Sequence, residues 1–346
     1  MTIAVAVSGG TDSLYALLTL KEQGHDIFAL HAHFLAPCKE REEAIGAMCA
    51  SLDIPFHAVD LHEEFEQCVV EPFMDEYAHG RTPNPCAICN ATMKFGALLR
   101  EAERLGADTI ATGHYAVLED HPEYGRTLSR GHDPKKDQSY FLSLVPKSQL
   151  EKALFPLGKM KKEDIKAELA ERGIVPAYPS ESQEICFVPN DDYRAFLLQK
   201  GAALGTAGNM ELADGTIVGK HNGLWQYTEG QRKGLGIAWK EPLYVIRKDL
   251  EKNVLVVGPK QELFSTGCTV SHMNYLVAPE HWGTKLLART RYRQQPISVT
   301  LHEQNDILIV TYNEAQSPPA SGQVFCLYDE DLTVLGGGII EGSLYT

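Results

Sequence analysis

The chain has 346 residues, 44% of them hydrophobic and 23% charged, and its formal net charge is −14. This length exceeds what one ordinary hydrophobic core holds, so we expect two or three domains in a globular protein. The acidic balance argues against nonspecific nucleic-acid binding, because such affinity comes from neutralising phosphates, but it is compatible with a local basic surface.

The N-terminal stretch MTIAVAVSGG has neither the basic region nor the long apolar run of a signal peptide, and no stretch is apolar over the length of a membrane span. Eight cysteines are too few for a disulfide scaffold in a chain of this length. We therefore expect a cytoplasmic protein without a membrane partner, whose cysteines are thiols and whose disulfides are transient.

Strand-like and helical patterns alternate over the first two hundred residues. Apolar runs at residues 3–8, 26–34, 56–61 and 108–116 predict strands, and the spacing of residues 12–24, 39–55 and 94–107 predicts helices. The alternation predicts an α/β domain with a parallel sheet, whose site lies beyond the carboxyl ends of the strands. Ser8, His33 and Gly113 are expected at that edge.

Beyond about Gly201, short β-like runs lie between Gly and Asn turns, and helical periodicity is nearly absent. This texture predicts two small β-rich domains, with a β-barrel at the C-terminus. The expected domains are residues 1–200, 201–265 and 266–346.

The sequence AVSGGTDS, residues 6–13, lies between the first strand and its helix. Two glycines let the backbone approach an anion, and the helix that follows presents free N–H groups and its positive dipole end. Ser8, Thr11 and Ser13 add hydroxyl donors, and Asp12 could hold Mg²⁺. The alternative is an ordinary turn in which a polar residue caps the helix. This stretch has neither a Walker lysine nor a GxGxxG motif, which excludes the P-loop NTPases and the Rossmann dehydrogenases.

Three cysteines stand in unusual surroundings, Cys86 and Cys89 in TPNPCAICN and Cys186 in SQEICFVP. They could be buried small hydrophobes, three ligands of a zinc or iron–sulfur site, or a reactive pair that forms a transient disulfide. A reactive pair would need Cα atoms about 4.4–6.8 Å apart. The residues alone leave the three interpretations open.

Two levels of resemblance narrow these possibilities. SGGTDS resembles the pyrophosphate loop of the N-type ATP pyrophosphatases, which adenylate an oxygen and release pyrophosphate. In order along nearly the whole chain, the chain further resembles the tRNA-specific 2-thiouridylases (MnmA/TrmU) in TPNPCAICN…KFG, ATGHYA, KDQSYFL, SQEICFVP, YTEGQRKGLGI, RTRYRQ and VLGGGIIE. These enzymes replace the C2 oxygen of the wobble uridine in certain anticodons with sulfur.

The resemblance implies a PP-loop catalytic domain, a central β-rich domain and a tRNA-binding β-barrel, together with a role for each matching residue. Cys89 matches the nucleophilic cysteine, and Cys186 matches the cysteine that carries the persulfide. The implied ATP site comprises Ala6, Val7, Ser8, Gly9, Gly10, Thr11, Asp12, Ser13, Ala32 and Gly113. The target base would be held at Asn84, Pro85 and Cys86, where some members carry aspartate in place of Cys86. The implied tRNA contacts are His114, Lys136, Asp137, Gln138, Arg291, Tyr292 and Gln323.

The implied cofactors are ATP with Mg²⁺ and a persulfide sulfur from a donor protein, either a cysteine desulfurase or a sulfur-relay protein. An iron–sulfur cluster on the three cysteines is a variant of this hypothesis. Two alternatives come from other classes: an amide-forming PP-loop synthetase, and a noncatalytic RNA-binding protein with a metal at Cys86, Cys89 and Cys186.

Several further residues have a structural as well as a functional interpretation. Arg291 and Arg293 flank Tyr292 in a pattern suited to RNA, but equally typical of an exposed strand. His31 and His33 are expected to be strand-end or core residues. Other possible phosphate contacts are Lys159, Lys161, Lys162, Arg232 and Lys233, and for Lys161 and Lys162 a solvated surface is the simpler interpretation.

Overall fold

The N-terminal part of the chain forms a parallel five-stranded sheet in this computed structural model, which describes residues 1–179 and 185–345. Its strand order is β3-β2-β1-β4-β7, and every neighbouring pair is parallel. The strands of the sheet, and of a hairpin β5–β6 that follows β4, are β1 Thr2–Ala6, β2 Asp26–His33, β3 Phe56–Asp60, β4 Thr109–Ala111, β5 Ala116–His121, β6 Gly125–Arg130 and β7 Ala153–Leu154. The predicted α/β fold is confirmed.

Helices cover both faces of the sheet. Ile3 and Val5 pack into the hydrophobic cluster on one face and Ala4 into the cluster on the other, which explains why the strands are apolar throughout. The helices are α1 Thr11–Glu22, α2 Lys39–Ser51, α3 His62–Phe65, α4 Glu71–Ala78, α5 Pro85–Cys89, α6 Leu98–Arg104, α7 Ser139–Leu142, α8 Lys147–Leu150, α9 Lys162–Glu171 and α10 Tyr193–Gln199. Wide π-helical turns, Glu66–Val70 and Asn90–Ala97, join α3 to α4 and α5 to α6.

The rest of the chain is β-rich, as predicted. A four-stranded sheet of order β10-β11-β8-β9 is followed by a closed six-stranded barrel of order β12-β15-β14-β13-β16-β17. Their strands are β8 Gly208–Glu211, β9 Ile217–His221, β10 Tyr244–Asp249, β11 Val254–Gly258, β12 Ser265–Tyr275, β13 Leu286–Arg289, β14 Ile297–Gln304, β15 Ile307–Gln316, β16 Val324–Tyr328 and β17 Val334–Leu344. Within the described residues, no helix has the length and apolar character needed to cross a bilayer.

The barrel shares a core with the N-terminal domain. Tyr140 is fully buried, belongs to the same hydrophobic cluster as Val324 and Tyr328, and donates a hydrogen bond to the carbonyl of Val324 at 2.8 Å. On the same side, the amide of Asn274 donates to the carbonyls of Ser143 and Val145. These contacts fix the barrel beside the sheet edge at which the site is formed.

Candidate active site

The loop of residues 6–13 lies at the carboxyl end of β1, as predicted. Gly9 has a φ of +81°, a conformation that favours glycine, and Gly10 caps α1 without a side chain. The hydroxyl of Ser13 accepts the backbone N–H of Ser8 at 3.2 Å and donates to the carbonyl of Gly10 at 3.0 Å. These bonds preform the loop. An anion can then bind the free backbone N–H groups at the start of the 12-residue helix α1.

Two other strands complete this edge. Gly113 follows β4 and packs tightly against this loop. A Cβ atom added at Gly113 would lie 2.8 Å from the carbonyl carbon of Asp12. Ala32, near the end of β2, is paired in register with Val59 of β3. His31 and His33 are buried at the same strand end, as expected, and the His31 Nδ1 lies 2.8 Å from the carbonyl oxygen of Val7.

Asp12 is held by two donors that converge on one of its oxygens. The hydroxyl of Tyr115 donates to Oδ1 at 2.6 Å, and the ammonium of Lys162 binds the same oxygen at 2.5 Å. Lys162 is 4% exposed, and its backbone N–H is capped by the carboxylate of Asp133 at 3.1 Å. The expectation that Lys162 lies on a solvated surface was wrong. The first turn of α9 directs Lys162 towards the loop of residues 6–13, here called the phosphate loop.

Cys86 and Cys89 lie in α5, whose start follows from local chemistry. Asn84 is the N-cap, and its side-chain oxygen accepts the N–H of Ala87 at 3.2 Å. Pro85 occupies the first helical turn, where its missing N–H costs nothing. Cys89 is the last residue before the π-helical turn Asn90–Ala97, a type of irregularity that is frequent at functional sites.

The chain returns to this helix at Cys186. Ile185 and Phe187, on either side of Cys186, pack into the hydrophobic cluster that contains Cys89 and Met93. Cys186 and Cys86 are exposed, Cys89 is buried, and all three are free thiols. Ser182, Gln183 and Glu184 of the SQEICFVP motif lie outside the described residues. The structure thus brings the two predicted reactive cysteines to one place.

Desolvation dominates the electrostatics of the three thiols. Burial raises the pKa of Cys89 to about 12, with the charge of Lys94 opposing the shift and repulsion from Cys186 and Cys86 adding to it. Desolvation also raises the pKa of Cys86 and of Cys186, and Lys94 lowers both. Since Cys86 and Cys186 are nonetheless exposed, we infer that they line a concave part of the surface.

Lys94 also connects the cysteines to the segment after β4 that contains Gly113. Its ammonium lies 3.4 Å from the Nε2 of His114, and the His114 Nδ1 lies 2.7 Å from the hydroxyl of Thr112. Burial, reinforced by the Lys94 charge, places the pKa of His114 well below its usual value. A neutral ring that is 7% exposed is not presented to RNA at the surface, so the predicted tRNA contact at His114 is not supported by this arrangement.

The loop that contains Lys136, Asp137 and Gln138 has a largely internal role. Asp137 is 2% exposed, and its Oδ2 accepts from Arg130 at 3.0 Å and from Arg289 at 2.8 Å. Instead of the predicted tRNA contact, the structure therefore shows Asp137 as a buried anion that fixes β13 to this loop. Gln138 pairs with the backbone of Tyr115 in both directions, at 2.9 and 2.8 Å.

Arg291 and Tyr292 lie in a turn after β13, so the alternative of an exposed strand was wrong. The Arg291 guanidinium donates to the carbonyl of Pro318 at 2.7 Å, and Tyr292 packs on Phe141 with ring centroids 4.4 Å apart. Arg291 remains exposed and Tyr292 half-buried. Both are therefore accessible to RNA.

Gln323 joins the barrel to the segment that leads to Cys86, residues 79–84, here called the cysteine loop. Its amide donates to the carbonyls of Thr82 at 2.7 Å and Pro83 at 3.2 Å. Arg81 in the same loop forms ion pairs with Glu76 at 2.7 Å and with Glu341 of β17 at 2.5 Å. The barrel thus holds the cysteine loop in place.

Residues 1–179 and 185–345 contain no group of three or more His, Cys, Asp or Glu side chains that could hold a metal ion.

Fold and site together define the class: an α/β domain with a glycine-rich, anion-accepting loop and a nearby cysteine cluster, followed by two β-rich domains. Models of three domain families match in the same order. They are a tRNA methyl transferase HUP domain over residues 1–190, a tRNA methyl transferase PRC-barrel domain over 195–259 and an aminomethyltransferase beta-barrel domain over 265–340.

Relatives that match over their full length identify the family. A tRNA-specific 2-thiouridylase MnmA from Nitratidesulfovibrio vulgaris is 57% identical over 351 residues, covering 99% of both chains. The enzyme of that name from Oleidesulfovibrio alaskensis is 54% identical, covering 98% of this chain and 99% of its own, and that from Lawsonia intracellularis is 47% identical, covering 99% and 100%. The chain belongs to the tRNA-specific 2-thiouridylase family, which confirms the resemblance seen in the sequence.

Proposed function

We propose that this chain uses ATP and two cysteines to replace the C2 oxygen of the wobble uridine in tRNA with sulfur. As a member of its family it is a tRNA sulfurtransferase that forms 2-thiouridine, and ATP and a sulfur donor are its co-substrates. The observation that supports the residue assignment is the packing of the Cys186 segment into the hydrophobic cluster of Cys89, near the charge of Lys94.

Adenylation comes first, because the oxygen on C2 of uracil is a poor leaving group. That oxygen attacks the α-phosphorus of ATP, the bond to the β-phosphate breaks, and pyrophosphate leaves. The N–H groups at the start of α1 and the exposed Ser8 hydroxyl suit the charge that develops on pyrophosphate. Tyr115 and Lys162 both bind the Oδ1 of Asp12, so a carboxylate donor suited to the Mg²⁺ of Mg-ATP is Oδ2.

Sulfur transfer then uses the two thiols in sequence. The terminal sulfur of a Cys186 persulfide attacks C2, and AMP leaves. The Cys89 thiolate attacks the Cys186 sulfur, the S–S bond breaks, and the transferred sulfur stays on C2. The products are 2-thiouridine, AMP and a Cys89–Cys186 disulfide, which an external thiol reduces. Lys94 assists because its charge lowers the pKa of Cys89 against the effect of burial.

The test of this function is to incubate the protein with Mg-ATP, a persulfide donor and unmodified tRNA. The tRNA is then digested to nucleosides and analysed for 2-thiouridine. We expect product from the wild type, none from Cys89→Ser or Cys186→Ser, and normal product from Cys38→Ser, a matched change at an exposed thiol. Product formation by the Cys89 and Cys186 variants would contradict the thiol mechanism and favour an amide-forming synthetase. Iron or zinc bound stoichiometrically to anaerobically purified protein, and lost in Cys86→Ser, would favour the metal alternative.

A further inference from the structure

A second surface with unusual properties lies in the central domain, away from the cysteines and the phosphate loop. The loop of residues 232–243, between the 3₁₀ turn Leu224–Gln226 and β10, surrounds a cavity of about 410 Å³. Its lining combines apolar and basic side chains with one acidic one: Arg232, Leu235, Trp239, Lys240, Glu241 and Pro242.

The loop is basic in an acidic protein. Arg232, Lys233 and Lys240 are all exposed, and Glu241 is the only acidic residue between positions 232 and 243. Within the described residues, none of the three cations has a side-chain hydrogen bond or ion pair, whereas Arg81 and Arg289 are engaged by carboxylates. Positive charge left unpaired on a chain of net charge −14 is suited to an anionic partner.

An exposed aromatic ring stands beside these charges. Trp239 is 42% exposed, while Trp225 is 5% exposed and the indole N–H of Trp282 is used by the carbonyl of Val277. A tryptophan face next to cations is the combination on which unpaired bases stack while their phosphates are neutralised.

Residues just before this loop contact both the cysteine loop and Arg291, two regions of the proposed tRNA site. The Thr228 hydroxyl lies 3.3 Å from the hydroxyl of Thr82 in the cysteine loop, and Arg291 donates to the carbonyl of Glu229 at 3.5 Å. Arg232 follows Thr228 by four residues, so their Cα atoms are at most about 14 Å apart. Residues 232–243 therefore begin close to the cysteine loop and to Arg291, where tRNA is proposed to bind.

We propose that residues 232–243 form an additional tRNA-binding surface, in which Arg232, Lys233 and Lys240 contact phosphates and Trp239 stacks on an unpaired base or ribose. The proposal rests on the proposed function, because it takes tRNA as the substrate. It extends the tRNA surface from the barrel onto the central domain.

Two binding measurements test this surface independently of thiolation. In Arg232→Gln/Lys240→Gln, tRNA affinity in 0.1 M salt should fall at least about tenfold, and the slope of log K against log salt should become shallower by roughly 1.4–1.8, the value for two lost phosphate contacts. Lys260→Gln/Lys285→Gln removes two exposed charges elsewhere and should leave both quantities unchanged. Wild-type tryptophan fluorescence should change on tRNA addition, and Trp239→Phe should lose that change.

The outcomes separate the two proposals. If the wild type makes 2-thiouridine but Arg232→Gln/Lys240→Gln binds tRNA with wild-type affinity and slope, the loop is not a tRNA surface. If that variant instead loses affinity only for the sulfur-donor protein, the surface belongs to a protein partner and the tRNA proposal is overturned. If the wild type makes no 2-thiouridine while binding tRNA, the proposed function fails and the loop proposal does not.

Discussion

A substitution at Gln323 tests which of two roles this barrel residue has. Gln323 either contacts RNA directly or holds the cysteine loop in place. Its amide donates to the carbonyls of Thr82 and Pro83 at 2.7 and 3.2 Å, and these residues lie four and three positions before Cys86. Each hydrogen bond contributes about 1 kcal/mol, so Gln323→Ala should destabilise the docked loop by roughly 1–2 kcal/mol. That corresponds to a factor of about 5–30 in the ratio of docked to undocked loop.

We expect Gln323→Ala to lower kcat for 2-thiouridine formation by up to that factor while the Kd for tRNA stays within about twofold. Single-turnover thiolation and filter binding measure the two quantities. Gln316→Ala is the matched control, because within the described residues the Gln316 amide donates to the carbonyl of Glu314, two residues away, and to no distant segment. If Gln323→Ala raises the Kd for tRNA and leaves kcat intact, the side chain acts on RNA and the positioning argument is refuted.

Three further predictions concern the thiols, the phosphate loop and the histidines. Burial raises the pKa of Cys89 to about 12, so iodoacetamide should label Cys89 at pH 8 far more slowly than exposed Cys38. Lys94→Met should slow the labelling of Cys89 further, because the Lys94 charge lowers that pKa. Peptide mapping in which Cys89 is labelled as fast as Cys38 would contradict this. Gly113→Ala places a Cβ 2.8–2.9 Å from Asp12 backbone and Cβ atoms, so calorimetry should show ATP affinity falling about tenfold or more. Gly283→Ala, with open space around it, should bind ATP normally. Burial lowers the pKa of His31, His114 and His221, so the unfolded state takes up protons first below about pH 6.5, and stability should fall by up to about 1.4 kcal/mol per pH unit per histidine as pH drops. Urea unfolding of His114→Gln should show a shallower dependence, and an unchanged slope would contradict a neutral buried ring.

Local chemistry made part of this molecule predictable. The apolar runs of β1 and β2 and the Gly9–Gly10 turn depend on neighbours within a few residues, and each is where the pattern placed it. The parallel sheet then followed, because strands that alternate with helices have few other arrangements. Proximity of Ser8 and Gly113 was predictable for the same reason, since carboxyl ends of parallel strands meet at one edge.

Interactions between distant segments were not predictable from the same patterns. Lys162 reads as one of several surface lysines, and its pairing with Asp12 depends on how α9 packs beside α1, 150 residues away in sequence. Asp137 resembles an exposed loop acid until Arg130 and Arg289 converge on it from two domains. A charged residue is assigned to solvent by default, and only tertiary structure supplies the partner that offsets its desolvation.

Exposure gives the three cysteines different access to a sulfur donor. Cys186 is exposed and can meet the thiol of a donor protein, whereas Cys89 is 9% exposed and sits in an apolar cluster with Met93 and Phe187. We therefore propose that a macromolecular donor reaches Cys186 and that Cys89 reacts with a sulfur already delivered inside the site. The raised pKa of Cys89 works in the same direction, because a protonated thiol neither accepts sulfur from outside nor oxidises readily before the base is bound. The difference in burial thus supports the proposed roles of Cys186 in delivery and of Cys89 in release, on physical grounds that are independent of the family match.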